Sequence, residues 1–379
     1  MYLIKNATVY APQKLGVRDV LVAGGRIMTV DEGIVASFPG LEVIDAKGMV
    51  LTPGWIDQHI HITGGGGEGG PKSRVPEVQL SQLVACGSTT VVGVSGTDSV
   101  TRPIEALLAK ARALQSEGIS AWIYTSNYAL PPSLLTDSIR NDLFMIPEVV
   151  GVKIAHSDHR SSFPTQQEML RILSDVRVGG MIAGKPGVLH IHLGALPGAF
   201  AAFNELVERG IPIKHIRPTH CARTEALFKD ALEFTRKGGV MDITSGGSCF
   251  ATPAQAIEMA VREKAVMDNI TMSTDGNGSV PRFDAQGNMV GLGTGAASAN
   301  MTTICKMVTQ DDMPLELVLP MVTRNVAHHL ELTGKGEVAA GKDADLCLFT
   351  PDMTLKHVIA KGKFLMRDGE IIVKGTFEE

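Results

Sequence analysis

His59 and His61 stand two residues apart in IDQHIHI, an apolar run with the composition of a strand. Side chains two apart on a strand project from one face, so the pair makes a two-imidazole chelate at the strand's C-terminal end. Core histidines satisfied by backbone share this spacing, so the pair gains meaning only from its company. Four further apolar runs end in a metal-capable group: Lys153 in GVKIA, His192 in LHIHLG, His220 in RPTHC and Asp275 in STDGNG. Lys153 is the unusual member, because a buried ammonium costs several kcal/mol unless paired or modified. Beside two divalent ions it would be repelled, whereas reaction with CO2 makes a carbamate, an anion able to bridge both. His190 shares a face with His192, but His192 lies nearer the strand end and is the expected ligand. Asp275, in a Gly-Asn-Gly setting that also suits a turn, fits a ligand that handles protons.

Such a rim requires parallel strands that end together. Between residues 53 and 332, short apolar runs (IDQHIHI, STTVVGV, ISAWIYT, VVGVKIA, VLHIHLG, IRPTHCA, VMDITS, ITMSTDG) alternate with helical segments. Two of these, ALLAKARALQSEG and ALFKDALEFTRKGG, show the 3.6-residue period and end in glycine. Eight alternations predict an α/β fold, a (β/α)8 TIM-like barrel, whose active sites lie at the C-terminal ends of its strands. Residues 1–52 and 333–379 read instead as short β runs between Gly turns. Because chain termini often lie close together, the two ends are expected to build one small β-sandwich domain beside the 53–332 barrel.

Lysine plus arginine total 35 against 40 aspartate plus glutamate in the 379 residues, a net charge of −5. That balance offers no attraction for nucleic acid or an anionic membrane. No apolar run reaches about 18 residues, and Lys5 and Asn6 interrupt the opening segment where a signal peptide needs an apolar core, so a cytoplasmic protein is expected. The five cysteines form no CxxC pair, which predicts reduced thiols and no disulfide framework.

PGWIDQHIH, the strand lysine, the two later histidines and STDG resemble the amidohydrolase superfamily, and VLVAGGRI and GKDADLCLF match its β-domain segments. More narrowly, HIHITGGGGEGGP, GTDS, SDHRS, THCAR and TDGNGS are similar to isoaspartyl (β-aspartyl) dipeptidases. The glutamate in a Gly-rich loop directly after HxH separates these from dihydroorotases and hydantoinases. The resemblance implies a binuclear zinc site, with His59, His61 and Asp275 on one ion and His192 and His220 on the other. Carboxylated Lys153 and a hydroxide would bridge the ions, roughly 3.5–4 Å apart. The hydroxide would attack the peptide carbonyl, Asp275 would move its proton to the leaving amine, and Tyr128 of SNYALP would donate to the oxyanion.

A β-aspartyl dipeptide carries one free amine and two carboxylates. By the same resemblance Glu68 meets the amine, and Gly66 and Gly67 let the backbone approach closely. Arg160 and Arg223 would hold carboxylates, and Thr97 and Ser279 supply the remaining polar contacts. His156 and His159 match no functional position and are expected to be structural. One departure is GGSCFATP, with Cys249, where the family carries an acidic-proline stretch. The expected protein is thus a metal-dependent dipeptidase acting on a small-molecule dipeptide, and a homo-oligomer as family members are. An amidohydrolase of cyclic amides is the alternative, although such substrates lack the amine Glu68 would meet. A non-catalytic scaffold of this fold would lack ligands that are all present here.

Overall fold

The computed structural model of the chain describes residues 1–246, 250–284, 286 and 289–379, so Cys249 lies outside the described residues. Among these, the eight apolar runs form β1 (Trp55–Ile60), β2 (Ser88–Gly93), β3 (Ser120–Thr125), β4 (Val149–His156), β5 (Val188–Leu193), β6 (Ile216–Thr219), β7 (Met241–Thr244) and β8 (Ile270–Ser273). Nearly all their residues are buried, as parallel strands covered on both faces should be. The two periodic segments become the helices Ile104–Glu117 and Glu225–Arg236, which lay Leu107, Leu114, Phe228 and Leu232 into the barrel's core.

Strands β1 to β6 pair in sequence order, and β7 pairs with β8. The two remaining seams are closed by isolated bonds at the strand ends. Cys221 N–H donates to Asp242 O at 3.1 Å, Asp275 N–H to His59 O at 3.0 Å, and His61 N–H to Gly276 O at 2.9 Å. Pro218, which has no N–H to give, falls in β6, the strand where the six-stranded ladder stops. An antiparallel hairpin, Ser279–Phe283 with Met289–Thr294, follows β8 and has no counterpart in the sequence reading.

The chain ends share one nine-stranded sheet among the described residues. Its join is Val50–Pro53, parallel to Tyr2–Tyr10 and antiparallel to Leu346–Phe349. Ile4, Val20, Ile27, Leu51, Leu346, Ile359 and Phe364 bury into one core, although Ile27 and Phe364 lie toward opposite ends of the ladder. The sheet therefore curls over its own core, which produces a sandwich's layers from a single ladder. Where two of its hairpin turns meet, a Cβ on Gly362 would stand 2.8 Å from Gly25 Cα, so the close approach depends on glycine. The buried Lys335 ammonium ties this sheet to the foot of β3, bonding Asp345 at 2.5 Å, Asp343 at 2.9 Å and Ser120 Oγ at 2.8 Å. Among the described residues no helix is long and apolar enough to cross a membrane.

Candidate active site

His59, Lys153 and His192 lie within β1, β4 and β5, whereas His61, His220 and Asp275 sit one or two residues beyond β1, β6 and β8. His220 and Asp275 have φ of 62° and 52°. This left-handed backbone costs of order 1–3 kcal/mol per residue and needs surroundings that enforce it. A polar layer beneath the rim supplies them. The buried Asp242 carboxylate on β7 accepts from Thr219 Oγ1 at 2.7 Å, Ser273 Oγ at 2.5 Å, Thr271 Oγ1 at 2.8 Å and Gln58 Nε2 at 2.7 Å, joining β6, β8 and β1. Asp57, whose carboxyl burial pushes up to about 7, accepts from Thr274 Oγ1 at 2.5 Å. The residues directly before His220 and Asp275 are thereby fixed.

Donor atoms of His59, His61 and Asp275 all lie within 4.8 Å of one another. Asp275 Oδ1 is 3.3 Å from His59 Nε2 and 3.1 Å from His61 Nε2. The other two imidazoles flank this cluster, with ring centroids 4.4 Å apart for His192–His220 and 5.1 Å for His59–His220. Lys153 is fully buried, its Nζ 2.9 Å from Ser95 O and 3.4 Å from His59 Nε2. Burial lowers its ammonium to about 7. Burial also lowers His59 to about 3 and pushes His61, His192 and His220 down, so these rings are neutral, the form that ligates metals. Burial alone would raise Asp275, but His220, His59 and His61 hold it well below the usual carboxylate range.

Ring-nitrogen bonding shows that these residues fit metal ions. His59 Nδ1 is held by His190 Nε2 at 2.7 Å, His220 Nδ1 by Thr244 Oγ1 at 2.6 Å, and His192 Nε2 by Asp158 Oδ2 at 3.0 Å. In His59 and His220 one nitrogen is thus anchored from behind and the other faces the cluster, the arrangement that outer partners impose on metal-binding histidines, whereas the second nitrogen of His192, Nδ1, is taken by Tyr128 Oη. His220 Nε2 and His61 Nδ1 are buried with no hydrogen-bond partner, a state that costs about 1–3 kcal/mol per group unless something binds there.

On the open side, one cavity is lined by His61, His192, His220 and Asp275 and by the expected recognition residues Gly66, Glu68, Thr97, Tyr128, Arg160, Arg223 and Ser279. His59 and Lys153 are buried beneath it. Gly67 is not among its lining; its N–H goes to Ser73 O at 3.2 Å. Glu68 Oε1 accepts from Ser279 Oγ at 2.7 Å, Thr97 Oγ1 at 3.1 Å and Arg160 Nη1 at 3.2 Å, while Oε2 is buried without a partner. Burial would raise the Glu68 carboxyl, but Ser279 and Arg160 keep it below its ordinary value. Arg160 spends its Nε and Nη2 on Asp158, each at 3.0 Å, whereas Arg223 Nε is buried and unpaired. Tyr128 Oη donates to His192 Nδ1 at 2.7 Å, and burial raises its pKa so that it stays a donor.

The amidohydrolase family model matches residues 50–365, a span that includes every one of these side chains. The chain belongs to the amidohydrolase family. A solved β-aspartyl dipeptidase from the thermophilic, keratin-degrading Fervidobacterium islandicum AW-1, in complex with β-Asp-Leu dipeptide, is similar at 44% identity, covering 98% of this chain and 97% of that one with a TM-score of 0.93. A deacetylase of Agrobacterium fabrum is 25% identical over 87% of this chain and 78% of its own length. An adenine deaminase 2 of Rhizobium etli is 24% identical over 93% of this chain, which spans only 58% of that protein. Within the amidohydrolases, the likeness to β-aspartyl dipeptidases thus extends over the whole chain.

Three residues of this amidohydrolase site escape the sequence reading. Asp158 anchors both His192 and Arg160, and its only signal is its place in SDHRS, two residues before the arginine. Asp242 binds three strand ends and shows only as a lone acid in an apolar run. His190, passed over in favour of His192, proves to be the partner of His59.

Proposed function

We propose that the chain is a zinc-dependent dipeptidase that hydrolyses β-aspartyl (isoaspartyl) dipeptides. The observation that carries this is the half-paired Glu68: one oxygen is saturated by three donors and the other, buried and unpartnered, awaits an ammonium beside the metal-capable cluster. Similarity to a dipeptidase solved with β-Asp-Leu supports the same substrate class.

In this reading His59, His61 and Asp275 would hold one zinc, His192 and His220 would hold the other, and Lys153, once carboxylated, would supply a shared anionic ligand. Zinc held there supplies Lewis acidity and an activated water. Asp275, ionised, accepts a proton from the attacking water and delivers it to the leaving amine. Tyr128 turns its hydroxyl from His192 to the developing oxyanion. Glu68 Oε2 receives the substrate amine, with Ser279 and Thr97 fixing the carboxylate from its other oxygen. Arg223 takes a substrate carboxylate, and Arg160, braced by Asp158 and bonded through Nη1 to Glu68, adds its positive charge to the cavity. Gly66 shapes this wall, and Gly67 acts through the loop's packing.

Composition and family resemblance support a cytoplasmic homo-oligomer, organised as residues 1–52 with 333–379 around a 53–332 barrel. The test is a parallel assay of β-Asp-Leu, α-Asp-Leu and dihydroorotate. Fastest turnover of β-Asp-Leu is expected, and faster turnover of dihydroorotate than of either peptide would overturn the proposal.

A further inference from the structure

His190 lies in β5, directly in register with Lys153 on β4 and with Arg217 on β6, two residues before His192. Its Nε2 stands 2.7 Å from His59 Nδ1. Its ring stacks on Tyr124 with centroids 4.5 Å apart and planes 6° from parallel, and both side chains are buried. His190 belongs to no ligand set and does not line the cavity. Two buried imidazole nitrogens at hydrogen-bond distance must share one proton between them, and the surroundings decide where it sits.

His59 Nε2 faces Lys153 Nζ at 3.4 Å and Asp275 Oδ1 at 3.3 Å, which makes it the nitrogen aimed at the metal-capable cluster. A nitrogen that ligates must keep its lone pair, so the neutral His59 ring carries its proton on Nδ1. His190 Nε2 must then be the acceptor. Stacking on Tyr124 holds the acceptor's plane, because rotating the buried ring would break both the stack and the bond.

We propose that His190 is a positioning residue that locks His59 in the Nδ1–H tautomer and so presents Nε2 to the metal. This rests on the assignment of His59 as a ligand. A neutral imidazole does for His59 what the Asp158 carboxylate does for His192, without adding a negative charge to the floor of the site.

The proposal is tested by chelator competition with Zn2+ and by the absorption spectrum of the Co2+-loaded protein, on His190→Leu, His190→Gln and His190→Asn, with His59→Ala as reference. Gln can put an amide oxygen where Nε2 stood, Asn is too short to reach it, and Leu fills the volume without an acceptor. Outer-shell partners of metal ligands are worth about 10–100-fold in affinity. His190→Leu and His190→Asn are therefore expected to bind metal about 10–100-fold more weakly and to shift the Co2+ bands, with His190→Gln returning most of the affinity and the parental spectrum. Parental affinity in His190→Leu, while His59→Ala has lost metal, overturns the positioning role alone. If His190→Leu does not fold, equal affinity in the Gln and Asn variants overturns it. Parental affinity in His59→Ala overturns the ligand assignment beneath it.

Discussion

At the scale of single residues the site depends on buried groups whose charge state is set by their surroundings. Lys153 has no carboxylate partner among its close contacts, and burial brings its ammonium down to about 7, so much of it is the neutral amine at neutral pH. That is the form able to add CO2. Lys153→Ala is expected to lose activity and much of its bound metal, with short carboxylic acids restoring part of both; full activity with two zinc ions by metal analysis would exclude the carbamate. Asp275 makes a different case. Asp275→Asn keeps a coordinating oxygen but cannot accept a proton, so kcat for β-Asp-Leu should fall by about 10²- to 10⁴-fold. Metal content should fall less. Retained kcat with lost metal would leave Asp275 a ligand only and put the base elsewhere.

At the scale of elements, the Gly-rich segment after β1 behaves as a packed wall. Gly66 has φ of 92°, and a Cβ there would lie 2.2 Å from Ser73 O, a backbone atom that cannot step aside. Gly66→Ala should therefore destabilise the protein by at least about 1 kcal/mol and raise KM for β-Asp-Leu more than it lowers metal content, because Glu68 is two residues away. Unchanged KM and an unchanged denaturation midpoint would show that the loop tolerates a side chain. The same scale explains what could be read in advance. All eight barrel strands were legible because each is a short apolar run bounded by a helical segment or glycine, and the metal-capable side chains fall within them or one or two residues beyond their ends. The hairpin at Ser279–Phe283 was not, because its Gly- and Asn-rich flanks carry no alternation. His190, Asp158 and Asp242 were also missed or passed over: a residue that acts through another has no spacing rule, and only folding shows which neighbour it holds.

At the scale of the whole molecule, the cavity of the proposed recognition site is assembled from segments far apart in the chain. Glu68 follows β1, Thr97 follows β2, Arg160 follows β4, Arg223 follows β6 and Ser279 opens the hairpin after β8, yet all line one cavity. The barrel thereby fixes the distance from the unpaired Glu68 Oε2 to the unpaired Arg223 Nε, and both to Asp275, the proposed proton carrier. In an isoaspartyl linkage the peptide bond runs through the side-chain carboxyl, so the α-amine and α-carboxylate stay free on one residue. In an α-linked peptide the amine and the free carboxylate stand at different distances from the scissile carbonyl, and a rigid set of anchors leaves one of them unpaired. A buried unpaired charge costs several kcal/mol, and each 1.4 kcal/mol is tenfold in kcat/KM. At least about a hundredfold preference for β-Asp-Leu over α-Asp-Leu is expected. Glu68→Gln should remove most of that preference by lowering kcat/KM for the β-linked peptide, and it should leave zinc content intact because Glu68 lies outside the ligand set. Equal hydrolysis of the two linkages by the parent protein would show that these anchors do not read the linkage.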